Sequence, residues 1–389
     1  MNEINKEFSF VLKTNMKFGP GISKNLGNLL SDQGYKRIGL IIDAGVYEND
    51  IIKEVIENIK NTSDALKIFK NTVSEPDYDF LESCKNEFLT EEFDCIVGIG
   101  GGSTMDTAKG VAVLLKNPGK AISYRGFGKI KEKGLPIIAI PTTAGTGSEV
   151  TPYAVFIDKA ENKKLGINTE YNTPTLAILD PMLTLSCPKS VTVGSGMDAL
   201  VHTIESFVAR DSTPMSKMFS LKAFSLIFNS LYHITDDLNN IELRSKLLLG
   251  SYLAGAALMN SGAGPAGAMS YPLGVIYKVP HGPAGAVFLS KVVNVNIQKG
   301  CELYAPLYDL IENSDKNLTI KEKNVQFGKM MNDLNLKLDI PSSLRVFGVS
   351  EADIDMLTNE TFKGLSAAIG QNPIPFSEAD IRAIFNSMI

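Results

Sequence analysis

The 389-residue chain has no tryptophan, only three histidines and only four cysteines. Cys84, Cys95, Cys187 and Cys301 are scattered, with no C-x-x-C pair and no disulfide-like spacing, which excludes a disulfide scaffold and a cysteine-rich zinc module. They are read as reduced thiols, which places the protein in the cytoplasm. Any metal site or histidine base must draw on His202, His233 and His281. Blocks of like charge are also missing. The 38 basic and 43 acidic side chains leave a formal charge of −5, which argues against a nucleic-acid partner or an anionic membrane surface. No apolar run approaches the ~20 residues of a membrane span. The opening stretch MNEINKEFSFVLKTNMKFGP mixes charge among its apolar residues and contains no leader-type hydrophobic region.

What is present is ordinary globular material, 44% hydrophobic and 21% charged. At roughly 150 residues per domain, the length suggests two or three domains. The chain changes character near residue 190. Before it, short apolar runs at residues 37–42 (RIGLII), 94–99 (DCIVGI), 136–140 (PIIAI) and 176–179 (LAIL) are bounded by Gly, Pro or Asp and read as buried strands. Helical spacing lies between them, as at residues 50–60, and such alternation predicts a parallel sheet covered by helices. After residue 190, stretches 198–209, 215–238, 241–260, 321–334 and 377–387 carry helical spacing, interrupted by a Gly/Ala/Pro-rich segment at 261–282. The expected organisation is an α/β domain over 1–190 and an α-helical domain over 191–389.

Three features at strand ends suggest a dinucleotide. Gly100-Gly101-Gly102-Ser103 follows the run DCIVGI and precedes a helix, where glycines let a ligand approach and free N–H groups favour a pyrophosphate. The loop 141–149 (PTTAGTGSE) follows PIIAI and is rich in hydroxyls and small residues that suit a ribose or carboxamide. Asp43 ends RIGLII, where a carboxylate can accept hydrogen bonds from an adenosine ribose. Each alone equally describes a tight turn or a cap. Together they favour a dinucleotide.

In the second half, Asp198 and His202 are four residues apart, and on a helix they share a face. Carboxylate plus neutral imidazole suits Zn²⁺ or Fe²⁺, although such a pair is also a common surface interaction. His281, beside a glycine, can supply a third ligand. His233 reads as a helix-end histidine without a role.

Residues 100–109 (GGGSTMDTAK), 141–151 (PTTAGTGSEVT), Asp180-Pro181, 196–205 (GMDALVHTIE) and 272–282 (PLGVIYKVPHG) together resemble the iron-containing, or group III, alcohol dehydrogenases. Their order and spacing agree from Phe18-Gly19-Pro20-Gly21 to the C-terminal helices. The resemblance implies a dehydroquinate-synthase-like fold, with a nucleotide-binding α/β domain, a helical domain and NAD(P) in the cleft. It implies hydride transfer between the nicotinamide and a carbonyl carbon beside a divalent metal.

Carried over by position, Asp43 meets the adenosine ribose and Asp77 lies beside the adenine. Gly101, Gly102 and Ser103 hold the pyrophosphate. Thr142, Thr143 and Thr146 line the nicotinamide side, with Val155 and Lys164 further along the groove. A carboxylate at position 43 repels a 2′-phosphate, so NAD is favoured over NADP. The metal ligands fall on Asp198, His202 and His281. The family's remaining ligand histidine falls on Gly267, and a further active-site histidine falls on Tyr271.

Those two departures leave three readings. Asp198, His202 and His281 hold Fe²⁺ or Zn²⁺ as a three-residue face. Alternatively, Tyr271 compensates as a ligand or an acid/base. Or the metal is lost and Tyr271 and His281 assist without it, or nothing is catalysed. Tyr271 as simple core packing stays open beside these. The expected function is NAD(P)-dependent interconversion of an alcohol and an aldehyde or ketone, with a sugar-like or polar small molecule as the expected substrate. A lyase or cyclase using NAD catalytically, or a nucleotide-binding relative without turnover, stands as the alternative. The resemblance also suggests a homo-oligomer, dimer or larger.

Overall fold

Isoleucine, leucine and valine fill the central strands because those strands are covered on both faces, so nearly every side chain must be apolar. The computed structural model describes residues 7–389. The first six residues of the expected 1–190 domain, and the charges read from them, lie outside the described residues. The chain divides into two units. One comprises Leu12–Pro188 with Asn239–Leu249. The other comprises Lys189–Leu238 and Gly250–Ile389 with the described residues up to Val11.

In the first unit the strands are β1 (Asn15–Phe18), β2 (Arg37–Asp43), β3 (Ala65–Asn71), β4 (Cys95–Gly100), β5 (Gly126–Phe127), β6 (Ile137–Pro141), β7 (Val155–Asp158), β8 (Lys163–Asn168) and β9 (Leu176–Leu179). An all-parallel sheet has the order β1-β9-β6-β4-β2-β3, and a small sheet has the order β5-β8-β7. The four runs read as strands are β2, β4, β6 and β9. Period-two alternation sends Ile38, Leu40 and Ile42 to one face, against α1 (Leu26–Asp32) and α2 (Asp50–Thr62). Ile41 and Ile96 face α3 (Tyr78–Phe88) and α4 (Gly102–Leu114) on the other. Asp180 is fully buried beyond β9, where its carboxylate accepts the N–H groups of Gly21, Ser23 and Met182 at 2.9–3.0 Å and the Ser23 hydroxyl at 2.5 Å. The Gly-Pro-Gly and Asp-Pro motifs therefore meet in one hydrogen-bonded corner.

The second unit is helical. It contains α5 (Lys189–Val208), α6 (Pro214–Ile234), the C-terminal half of α7 (Ile241–Leu258), α8 (Pro265–Tyr277) and α9 (His281–Gln298), followed by helices that include Ile320–Lys337, Ile354–Gly364 and Glu378–Asn386. One expectation is corrected. Residues 261–282 do not interrupt the helical pattern, because Pro265–Tyr277 is itself a helix. Its glycines and the internal Pro272 depress helix propensity, but the small residues permit close packing against α9 and α5. Pro265 at its first turn needs no N–H partner. Tertiary packing overrides the local signal.

Candidate active site

The site residues fall into two groups, one in each unit. In the first unit, β3 lies outside β2 whereas β4 lies on its inner side, so the winding of the chain reverses between β2 and β4. In open α/β sheets, ligands bind outside the carboxyl ends of strands at such a point. Those ends carry Asp43 and Gly100, and a Cβ on Gly100 would come within 2.9 Å of Asp43 Cβ. Asp43 Oδ1 also accepts the Gly45 N–H at 2.7 Å, which fixes the carboxylate at the strand end.

Gly101 is the N-cap of α4 and provides no side-chain cap, so the first N–H groups of the helix, from Gly102 and Ser103 onward, are positioned to receive an anion. Gly100 is paired with Pro141 in β6, and the Thr142 N–H donates to the Gly100 carbonyl at 3.0 Å. The threonine loop is thereby laid on the glycine turn. A Cβ on Gly101 would meet Thr143 Oγ1 at 3.5 Å, and one on Gly102 would lie only 2.6 Å from Thr146 Cγ2. Glycine at 102 is therefore a requirement of the close approach between the two loops. Gly101, Gly102, Ser103, Thr142, Thr143, Thr146 and Asp43 form one neighbourhood.

Asp77, Val155 and Lys164 form a second neighbourhood on the small sheet. Ile157 bridges to Asp77 and pairs with Lys164, and Val155 begins the same strand. Each has a structural partner. Asp77 caps α3 through the Phe80 N–H at 2.8 Å and pairs with Lys159 at 2.6 Å. Burial opposes its ionisation, but these hydrogen bonds and the Lys159 charge hold its carboxyl below the usual range. Lys164 pairs with Glu75 at 2.6 Å, and the Val155 N–H donates to Asp106 Oδ2 at 2.9 Å.

Two residues inside the quoted glycine motif organise this region without having been assigned a role from sequence. Asp106 accepts the Ser148 hydroxyl at 2.5 Å as well as the Val155 N–H. Lys109 is fully buried and donates to the carbonyls of Thr151 at 2.9 Å and Tyr153 at 2.8 Å. Together they tie the threonine loop to α4. Burial pushes the Lys109 ammonium down to about 8 against the pull of Asp106 and Glu149. An Asp and a Lys three apart in an otherwise uncharged helix are the available signal of a buried polar anchor.

In the second unit, α5 carries Asp198 and His202 one turn apart, and His281 is the first residue of α9. The two helices meet where a Cβ on Gly282 would lie 2.3 Å from the Gly194 carbonyl oxygen. This close crossing, one turn before Asp198, brings His281 to it. Asp198 Oδ1 lies 3.7 Å from His202 Nε2 and 3.6 Å from His281 Nε2, and ligand atoms from all three residues lie within 4.8 Å of one another. These separations are too long for hydrogen bonds but match the spacing between ligands whose bonds to a shared metal are about 2.0–2.2 Å. Asp198 is buried, and His202 Nδ1 is a buried atom without a hydrogen-bond partner. The donor set fits Fe²⁺ or Zn²⁺.

Helix α8 meets this cluster through Tyr271 and Ser270, which both touch His281. Tyr271 is half-buried, and its ring meets His281 edge to face with centroids 5.3 Å apart at 83°. Gly267 offers no side chain, and its N–H donates to Glu205 Oε2 at 3.3 Å. Glu205 also accepts from the Gly264 N–H at 2.8 Å and the Ala266 N–H at 2.6 Å, which places a carboxylate at the N-terminus of α8. Burial raises the Glu205 carboxyl to about 7 despite those three donors. Ser270 reaches His281 Nδ1 at 3.2 Å. Neither Ser270 nor Glu205 was singled out by sequence, since a serine among alanines carries no pattern of its own. His233 lies in the last turn of α6, 3.5 Å from Glu312, and takes no part in the cluster.

Residues 13–181 match the iron-containing alcohol dehydrogenase family, and residues 192–389 match the C-terminal domain of the Fe-containing alcohol dehydrogenases. The chain is 32% identical over 371 residues to the NAD-dependent methanol dehydrogenase of Bacillus methanolicus, covering 95% of this chain and 97% of that protein. It is 29% identical over 380 residues to the 1,3-propanediol dehydrogenase of Klebsiella pneumoniae, covering 97% and 98%. A 1,3-propanediol oxidoreductase crystal structure superposes with a TM-score of 0.93 at 28% identity, over 99% of this chain and 100% of that one. The chain belongs to the iron-containing alcohol dehydrogenase family. It is an oxidoreductase that interconverts alcohols and carbonyl compounds, built on the expected α/β and helical architecture. Among the described residues no helix is long and apolar enough to cross a membrane.

Proposed function

We propose that this enzyme uses NAD, holds a divalent metal on Asp198, His202 and His281, and acts on a small polar alcohol and its aldehyde or ketone. The observation that carries the metal assignment is the convergence of those three donors within 4.8 Å. When bound, the dinucleotide carries the hydride and the ion supplies the positive charge that stabilises a developing alkoxide.

The chain's own residues bind and orient. Asp43 accepts from the adenosine ribose and repels a 2′-phosphate, which favours NAD over NADP. The N–H groups at the start of α4, around Gly101, Gly102 and Ser103, hold the pyrophosphate. Thr142, Thr143 and Thr146 take the nicotinamide side, and Asp77, Val155 and Lys164 complete the cofactor contacts. The Tyr271 hydroxyl delivers or relays the proton to the substrate oxygen, and His281 is held beneath its ring edge. Glycine at 267 leaves room where the family has an imidazole, which supports a polar or bulkier, sugar-like substrate. The family resemblance supports a homo-oligomer, and cysteines that form no disulfide among the described residues support a cytoplasmic setting.

Metal analysis of untagged protein purified anaerobically tests the reading. Near-stoichiometric iron or zinc, lost in Asp198→Ala, is expected. Protein that stays metal-free after Fe²⁺ or Zn²⁺ is supplied would overturn the metal assignment. A turnover screen restricted to short linear alcohols would overturn the polar-substrate assignment.

A further inference from the structure

His281 meets α8 through two different contacts. Its ring packs against Tyr271, and its Nδ1 lies 3.2 Å from Ser270 Oγ. Ser270 is fully buried, and its Oγ also lies 2.6 Å from the Gly267 carbonyl oxygen. A carbonyl oxygen can only accept, so that short contact uses the one hydroxyl hydrogen. Ser270 Oγ is then an acceptor toward the imidazole, and the proton between them must come from Nδ1. A neutral ring protonated on Nδ1 carries its lone pair on Nε2, the nitrogen that faces Asp198 Oδ1 at 3.6 Å.

We propose that Ser270 is a positioning residue: through the relay from the Gly267 carbonyl to Ser270 Oγ to His281 Nδ1, the backbone of α8 selects the imidazole tautomer that presents Nε2 as a metal ligand. The proposal rests on the metal assignment made above and adds to it a residue outside the ligand set. The geometry is local to one helical turn, because Gly267 and Ser270 are three residues apart on the same face. Removing the hydroxyl takes away the acceptor that Ser270 offers to Nδ1. The Nε2-protonated tautomer then competes, and that tautomer must surrender its proton before it can bind an ion.

The test uses full-length metal-free protein with ¹⁵N-labelled histidine. Long-range ¹H–¹⁵N correlation spectra report the tautomer, with the His281 signals assigned by their absence in His281→Gln. Zn²⁺ affinity is measured by competition with a chromophoric chelator. Wild type is expected to carry its proton on Nδ1, and Ser270→Ala to shift population toward protonated Nε2 with a Zn²⁺ Kd weaker by about 10- to 100-fold. Ser270→Thr, which keeps a hydroxyl, should restore both readouts most of the way. A wild-type ring protonated on Nε2 alone, or an unchanged spectrum and Kd in Ser270→Ala, would overturn the proposal. Failure of wild type to bind Zn²⁺ would instead remove the metal assignment, while the spectra still decide what Ser270 does to the ring.

Discussion

Glu205 Oε2 accepts the N–H of Gly267 at 3.3 Å, and a Cβ on Gly267 would lie 3.1 Å from that same oxygen. The carboxylate therefore lies against the Cβ side of position 267. Unfolded, the Glu205 carboxyl ionises near 4.5, whereas in the folded protein burial raises it to about 7. Between those values the folded state binds more protons than the unfolded state, so stability falls as pH rises through this window and levels off above it. The contribution is about 3 kcal/mol. Urea unfolding of wild type and Glu205→Gln across that window should show their stability difference moving by about this amount in the variant's favour. A constant difference would show that Glu205 does not titrate there.

Asp43 marks the carboxyl end of β2, beside the glycine turn. If Asp43 is the ribose acceptor proposed above, Asp43→Gly removes that acceptor and the charge that opposes a 2′-phosphate. NAD binding should weaken at least about tenfold, or about 1.4 kcal/mol, while NADP binding holds or improves. Calorimetric Kd values unchanged for both dinucleotides would remove Asp43 from the site.

Gly102 and Thr146 test the contact between the two loops. The methyl group of Gly102→Ala would be 2.6 Å from Thr146 Cγ2, so the threonine loop must move off the start of α4. NAD affinity should fall at least about tenfold. Adding Thr146→Ser deletes the nearest clashing atom and should recover part of that loss. Equal NAD affinity in Gly102→Ala and wild type would mean that the loop approach does not shape the cofactor site.

Tyr271→Phe keeps the ring edge against His281 and removes only the hydroxyl. If that hydroxyl delivers the proton, kcat drops tenfold or more, an effect of about 1.4 kcal/mol or above. Steady-state kinetics with KM measured alongside kcat separates this from a binding defect. A wild-type kcat would return Tyr271 to simple packing against the imidazole.

Much of the molecule was legible before folding was considered. Buried parallel strands leave a strong record because both faces demand apolar side chains, so β2, β4, β6 and β9 stand out as runs. The weaker strands β3 and β8 contain lysines and asparagine and leave no such record. The helix α8 was hidden for a different reason. Glycine and proline read as a break when only local propensity is considered, and only close helix packing makes such a segment suitable. Asp198 and His202 share a helix face by spacing alone, so their pairing could be anticipated.

Local chemistry in the sequence determined the strand runs, the glycine turn and the aspartate–histidine pair. Residue spacing along one element is enough for such features, because helix and strand periodicity are set by the backbone. Tertiary structure decided the rest. It alone laid the threonine loop on the glycine turn through β4 and β6, carried His281 to Asp198 through the Gly194–Gly282 crossing, and placed the Ser270 hydroxyl against the His281 ring. Those contacts join residues on different segments, and only the packing of buried surfaces brings such segments together.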